Sequence, residues 1–257
     1  MSVSALEFAS LGSGSKGNAT LVSVANTCIM VDCGFSMRET VMRLEKIGKQ
    51  PEQLAAILLT HEHTDHIRGA GALSRKYGVP VWSTRGTAKA EALGDLGRQY
   101  YINAEEQFTI GNINIQAFPV PHDAREPCQF VFSNGENKLG LLTDVGKGTP
   151  HILDKLSQCD ALLLECNHDS EMLFSGDYPP SLKDRVAGDL GHLSNQQAAD
   201  ILKNLDTTNL KYIAAMHLSD KNNQSELAQQ ALSAVLGWEE SWINIADQER
   251  GLAWQQV

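Results

Sequence analysis

Leu54-Ala55-Ala56-Ile57-Leu58-Leu59-Thr60-His61-Glu62-His63-Thr64-Asp65-His66 sets a continuous apolar run directly ahead of a cluster of metal-binding side chains. The run from Leu54 to Leu59 has the length and composition of a buried strand. A buried strand that empties into a polar loop is where α/β folds place their chemistry. The loop holds three imidazoles and a carboxylate within six residues. Side chains at i and i+2 of an extended segment point the same way, so His61 and His63 can grip one ion. Asp65 and His66 lie past the turn and can face a second position. Imidazole and carboxylate suit zinc, manganese or iron(II), and no thiolate is required. A solvated polar loop is the plain alternative, but these ligand types are seldom packed behind a buried strand without a metal.

Upstream of the cluster, the pattern predicts strands at Leu6–Leu11, Thr20–Val24 and Cys28–Asp32, with a Gly-rich connection Gly12–Asn18. Met37, Val41, Leu44 and Ile47 recur at helical spacing, and Gly48 closes that helix. Downstream, helices are expected over about Ile67–Tyr77 and Thr84–Leu93, with a strand at Val79–Ser83 between them. Strands follow at Gln107–Ile110, Ile113–Pro119, Gln129–Ser133, Lys138–Thr143, Ala161–Glu165 and Tyr212–Met216. Amphipathic helices occupy Asn195–Leu205 and Leu227–Val235, and a short β-like tail ends the chain. Each half runs from strands to helices, a hint of internal duplication that the residue identities do not repeat.

The 257 residues, 42% hydrophobic and 20% charged, are read as one domain spanning residues 1–257. No apolar run is long enough to cross a bilayer. Met1–Phe8 has neither a basic region nor an apolar core, so no secretory signal is expected. The five cysteines (Cys28, Cys33, Cys128, Cys159, Cys166) show no CxxC spacing and are read as reduced, structural thiols. Both points lead to an expected cytoplasmic location. A net charge of −10 argues against a non-specific nucleic-acid binder, although bound divalent cations would add local positive charge.

Three further ligand types stand at strand ends: His122 after Pro119-Val120-Pro121, Asp144 after Leu141-Leu142-Thr143, and His217 after Ala214-Ala215-Met216. His151 follows Pro150 in a helix-like stretch and is expected at the surface. HxHxDH followed in order by these three resembles the metallo-β-lactamase superfamily, and the resemblance spans the chain from Asp32 to His217. It implies a four-layer αββα sandwich with two divalent metal ions, zinc or manganese, at one edge. In that pattern His61, His63 and His122 hold one metal, Asp65, His66 and His217 the other, and Asp144 bridges both. Asp32 would support the site by hydrogen bonding.

Two such metals activate a bridging hydroxide that serves thioesters, lactones, β-lactams and phosphodiesters alike, and fold alone does not choose among them. Gly191-His192-Leu193-Ser194-Asn195 resembles the extra His motif of the superfamily's nucleases. Glu165, at its strand end, can orient that imidazole for proton transfer to a leaving oxygen. Asp65, His192 and Glu165 thus form the expected catalytic set. The plain alternatives are a helix-entry residue beside a Ser194 or Asn195 cap for His192, and a strand-end surface carboxylate for Glu165.

Gly12-x-Gly14-x-x-Gly17 matches a dinucleotide fingerprint literally, but Thr20–Val24 reads as a strand where that motif needs a helix. Its Ser13, Ser15, Lys16 and Asn18 are expected either to dock a phosphate or to serve a plain strand connection. The GSGSKGN loop, LLTHEHTDHIRG, TDVG, Asn167-His168-Asp169 and GHLSN together resemble the YycJ (WalJ) group of cytosolic exonuclease-like hydrolases. That resemblance implies a 5′-to-3′ DNA exonuclease activity, a nucleic acid partner with DNA favoured over RNA, and a cleft lined by His168 and Ser194. His168 can instead cap the following helix. The alternative function is hydrolysis of a thioester, lactone or other small molecule at the same two metals.

Overall fold

The computed structural model describes residues 4–257. The N-terminal half supplies β1 (Leu6–Gly12), β2 (Ala19–Val24), β3 (Thr27–Val31), β4 (Leu54–Leu58), β5 (Val81–Ser83) and β6 (Gln99–Tyr101). Helices α1 (Met37–Lys46), α2 (Thr64–Ile67) and α3 (Ala70–Tyr77) connect the later strands. The second half supplies β7 (Gln107–Ile110), β8 (Ile113–Pro119), β9 (Cys128–Ser133), β10 (Lys138–Leu142), β11 (Ala161–Glu165), β12 (Tyr212–Met216) and β13 (Ile243–Ile245). Its helices are α4 (Pro150–Leu156), α5 (Ser170–Ser175), α6 (Pro180–Ala187), α7 (Asn195–Asn204) and α8 (Ser225–Leu236). The final strand, β14 (Leu252–Gln256), returns to the first sheet.

Two seven-stranded sheets result, in the orders β14-β1-β2-β3-β4-β5-β6 and β13-β12-β11-β10-β9-β8-β7. Each has an antiparallel half, where β1–β3 or β7–β10 follow as hairpins, and a parallel half that needs helical crossovers. Successive residues of a strand point to opposite faces, and the buried strands use both. Leu163 packs between the sheets with Phe8, Val22, Leu58, Phe130 and Met216. Its neighbours Leu162 and Leu164 turn outward to Ile152 and Leu156 of α4, Ile201 and Leu202 of α7, and Leu232 of α8. On the other sheet, Met30, Ile57 and Leu59 face Leu44 of α1 and Leu73 of α3. Helix, sheet, sheet, helix is therefore the layering, as expected.

Three local readings change. The segment expected as a helix at Thr84–Leu93 is two short 3₁₀ turns, Thr87–Lys89 and Glu91–Leu93. Its first N–H groups are taken by Glu126 Oε2 (2.6 Å to Gly86 N) and Thr84 Oγ1 (3.3 Å to Thr87 N), and extended Ala90 separates the turns. The helix expected from Ile67 starts three residues earlier and breaks at Arg68-Gly69, where Gly69 N donates to Cys33 O at 2.8 Å. Neither three-residue β6 nor α6, which buries no residue fully, is announced by the sequence. His151 lies on α4 and pairs with Glu105 at 2.8 Å. All five cysteines are free and buried, and burial pushes the Cys33 thiol up to about 12. No helix among the described residues is long and apolar enough to cross a membrane.

Gly34 shows how tightly the first sheet is tied to the His cluster. Gly34 N donates to Asn18 O at 2.9 Å, and Asn18 N donates to Asp65 O at 2.9 Å. A Cβ on Gly34 would collide with the Asp65 carbonyl. Gly34→Ala is therefore expected to lower stability by about 1–3 kcal/mol, the usual range for overpacking. A denaturant titration of wild type and variant checks this.

Candidate metal centre

The parallel strands of both sheets end at one edge, and the chain turns sharply there. Asp32, just past β3, Asp144, past β10, and His217, past β12, have φ of 60°, 55° and 55°. Few residues with a Cβ adopt this left-handed region, and holding one there costs about 1–3 kcal/mol. The surroundings fix the turns: Asp32 N donates to Leu58 O at 2.8 Å, and His217 N donates to Ser13 Oγ at 2.9 Å. Three strand ends thus aim side chains into one space, which His61, His63, Asp65 and His66 enter from the end of β4.

His61, His63 and His122 form one group whose donor atoms lie within 4.8 Å of one another, and Asp65, His66 and His217 form another. Asp144 forms a third group with His61 and His66. Its Oδ2 is 3.2 Å from His66 Nε2 and its Oδ1 3.7 Å from His217 Nε2, so it stands between the sets. His122 Nε2 is 3.3 Å from His63 Nδ1. His61 Nε2, His217 Nε2 and Asp144 Oδ2 are buried with no hydrogen-bond partner among the described residues. A buried polar atom left unpaired costs about 1–3 kcal/mol, and three around one space fit divalent cations.

The outward nitrogens are occupied. His61 Nδ1 meets Thr60 Oγ1 at 2.9 Å, His66 Nδ1 meets Asp32 Oδ2 at 2.8 Å, and His122 Nδ1 donates to Gly191 O at 3.1 Å. His217 Nδ1 lies 3.3 Å from Glu165 Oε1. Fixing one ring nitrogen in this way leaves the other as the lone-pair donor. Charge points in the same direction. Burial works against a cation at His217, yet Asp144, Asp65 and Glu165 hold its pKa up at about 10. Burial likewise opposes charge on His66, but Asp144 and Asp32 keep it well above the usual imidazole range. The buried carboxylates thus favour positive charge at this position. His61 goes the other way, pushed well down by burial and by charged His66.

Glu165 and His192 meet beside this cluster. Glu165 is fully buried; its Oε1 lies 2.8 Å from His192 Nδ1, and its Oε2 accepts from Val145 N at 2.9 Å. A surface role for Glu165 is excluded, and the helix cap is Ser194, whose side chain accepts from Gln197 N. The same Oε1 touches His217, a contact that strand-by-strand reading does not suggest.

Of the two readings of the Gly-rich loop, a phosphate dock and a plain strand connection, its hydrogen bonds favour the second. Gly14 N donates to Asn18 Oδ1, Lys16 N to Gln248 Oε1, Gly17 N to Gly14 O and Asn18 N to Asp65 O. With these N–H groups taken by the loop itself and by Gln248 and Asp65, it is a brace behind Asp65, His66 and His217 rather than an anion nest. Ser13 and Asn18 are buried within it, Lys16 pairs with Asp220 at 2.6 Å, and Ser15 alone of the four lines the cleft over the cluster. His168 is 1% exposed and lies outside the cleft, where Asn167 takes its place; Asp169 caps α5. Ser194 is buried and committed to capping α7.

Two residues, Gln248 and Arg43, carry the site without a sequence signal. Gln248 Nε2 donates to Gly17 O, and Arg43 Nη1 donates to Leu11 O and Gln248 O, so both pin the loop from a distance. Asn167 donates to His217 O at 2.9 Å. Asp32 accepts from Thr60 N at 2.9 Å and holds His66. Asp32→Ala removes both bonds and is expected to weaken divalent-metal affinity about 10–100-fold. Competition with a chromophoric chelator measures it; an unchanged affinity would deny Asp32 that role.

The family model described as a β-lactamase superfamily domain matches residues 27–215. The exodeoxyribonuclease YycJ of Bacillus anthracis is 37% identical over 235 residues, covering 90% of this chain and 89% of that protein. The exodeoxyribonuclease WalJ of Streptococcus pneumoniae is 37% identical over 234 residues, 89% of this chain and 87% of its own length. Among solved structures, the metallo-β-lactamase fold protein YhfI from Bacillus subtilis superposes with a TM-score of 0.77 at 17% identity, covering 99% of this chain and 100% of that one. The chain belongs to the β-lactamase superfamily, with the metallo-β-lactamase fold, and to the family of the YycJ and WalJ proteins.

Proposed function

We propose that this chain is a metal-dependent phosphodiesterase that degrades DNA as an exonuclease, with 5′-to-3′ polarity, two zinc or manganese ions and a cytoplasmic site of action. The Glu165–His192 pair carries the reading. It sets an oriented imidazole, partly open to solvent, against a seven-residue donor cluster. The names of the two relatives that match along about nine-tenths of this chain support DNA as substrate.

Bound divalent ions would supply an activated hydroxide at neutral pH and polarise the phosphate oxygens. The protein does the rest. Glu165 fixes the His192 ring through Nδ1 and leaves Nε2 for the leaving oxygen. Burial opposes a proton on this ring, but Glu165 and Asp144 raise its basicity, so it can carry a proton to an alkoxide. Asp65, His66, His217, His61, His63, His122 and Asp144 hold the ions in this reading, and Asp65 shares in catalysis through that contact.

His192→Ala is expected to keep metal content and lose phosphodiesterase turnover by about 10²-fold or more, the size of acid–base assistance. Unchanged turnover on an oligonucleotide would remove His192 from the chemistry. Asp65→Ala should instead lose one equivalent of metal, read by elemental analysis. End-labelled single- and double-stranded DNA and RNA, assayed with Mn²⁺, Zn²⁺ or Mg²⁺, test substrate and polarity. Hydrolysis of a thioester or lactone with none of any phosphodiester would replace the proposal.

A further inference from the structure

A chain of net charge −10 needs a specific means of holding a polyanion. The cleft over the metal cluster has a volume of about 400 Å³, the size range of a nucleotide-scale ligand site. Its walls include the carboxylates of Asp65, Asp123 and Asp144, and among the described residues Arg185 is the one lysine or arginine lining it. Arg185 sits on α6. Its Nε and Nη2 both lie 2.7 Å from Asp123 Oδ2, and its other N–H groups have no protein acceptor among the described residues. The opposite oxygen, Asp123 Oδ1, is 3.5 Å from His122 Nε2 and 3.8 Å from His63 Nε2. One carboxylate thus separates the guanidinium from the imidazoles of a candidate metal position.

The rest of that wall suits a base. Tyr178, Leu182 and Val186 line the cleft on the same side, and Lys221 Nζ lies 5.7 Å from the Tyr178 ring centre. An aromatic face with an arginine close by is the usual means of holding single-stranded nucleic acid without reading its sequence. The helix that carries Arg185 buries no residue fully, and its polar ties are the Asp123 pair and a Lys183 bond to Phe174 O. Its main chain is also bonded to the catalytic side, since His192 N donates to Val186 O at 2.8 Å.

We propose that α6 and the turn ahead of it form a nucleotide subsite, in which Arg185 binds the phosphate next to the one being cut and Tyr178 stacks on the adjoining base. Asp123 holds the guanidinium in place and is exchanged for that phosphate as substrate enters. A planar fork of N–H donors fits either carboxylate or phosphate oxygens, so the exchange keeps Arg185 paired throughout. The assignment rests on the nuclease reading above.

Fluorescence anisotropy on the metal-loaded protein, with a labelled single-stranded oligodeoxynucleotide whose sulfur-substituted linkages resist hydrolysis, tests it across a salt series. Arg185→Gln is expected to weaken binding about tenfold and to reduce the slope of log Kd against log salt by about 0.7, the value of one phosphate contact on a single strand. Arg185→Lys should restore the slope and part of the affinity. Tyr178→Ala should weaken binding about tenfold while leaving the slope unchanged, because stacking releases no counterions. A protein that binds and cuts DNA, but whose Arg185→Gln form keeps the wild-type affinity and slope, overturns the subsite and leaves the nuclease reading standing. A wild-type protein that neither binds nor cuts nucleic acid overturns both.

Discussion

Asp32 accepts three bonds in a space that excludes water, from Thr60 N, Thr60 Oγ1 and the His66 ring. Burial raises its carboxyl pKa above the ordinary value, and the charged His66 and the Thr60 donors offset only part of that rise. Those partners belong to separate elements, β3, the end of β4, and α2. The left-handed turn at Asp32 therefore registers one strand against the loop that follows its neighbour. Cys33 N then bonds to His66 O, Gly34 N to Asn18 O and Asn18 N to Asp65 O. Removing a single member would leave a buried charge with no partner, which is dearer than never having buried the group. The donor cluster depends on this chain of bonds for its geometry.

The two sheets reuse one plan. Each is an antiparallel meander followed by parallel strands, and in each the first parallel strand ends in an aspartate with a left-handed backbone, Asp32 after β3 and Asp144 after β10. The next parallel strand delivers the cluster's anchor, Thr60-His61 just past β4 and Glu165 at the end of β11. The equivalent aspartates have nonetheless diverged in use. Asp32 is saturated by hydrogen bonds, whereas Asp144 Oδ2 has none and faces the centre. The first half supplies His61, His63, Asp65 and His66, and the second supplies His122, Asp144 and His217 together with the Glu165–His192 pair.

Local pattern revealed much of this. Period and run length place most of the buried strands, because a strand buried on both faces needs an unbroken apolar run wherever it lies in the fold. The cluster from His61 to His66 is legible because its members are adjacent, and His122, Asp144 and His217 because each terminates such a run. What escapes is whatever depends on distant segments meeting. Arg43 reads as an ordinary helix cation, yet it is buried against the carbonyls of Leu11 and Gln248. The Gly-rich loop looks like an anion nest until Gln248 and Asn18 are seen to occupy its amides. Ser194 and His168 have the right chemistry for a cleft but are buried, Ser194 as the cap of α7. The 3₁₀ turns at Thr87–Leu93 were set by Glu126, some forty residues on.

The closing strand has a bearing on biosynthesis. β14 pairs with β1, and Gln248, just ahead of it, fastens the loop that braces Asp65, His66 and His217. The strands that carry the donor residues all leave the ribosome earlier. During translation the nascent chain therefore exposes a nearly complete set of donors with a slack brace and an open sheet edge. The ordering of the chain places the segment that locks the site into shape after every donor it braces.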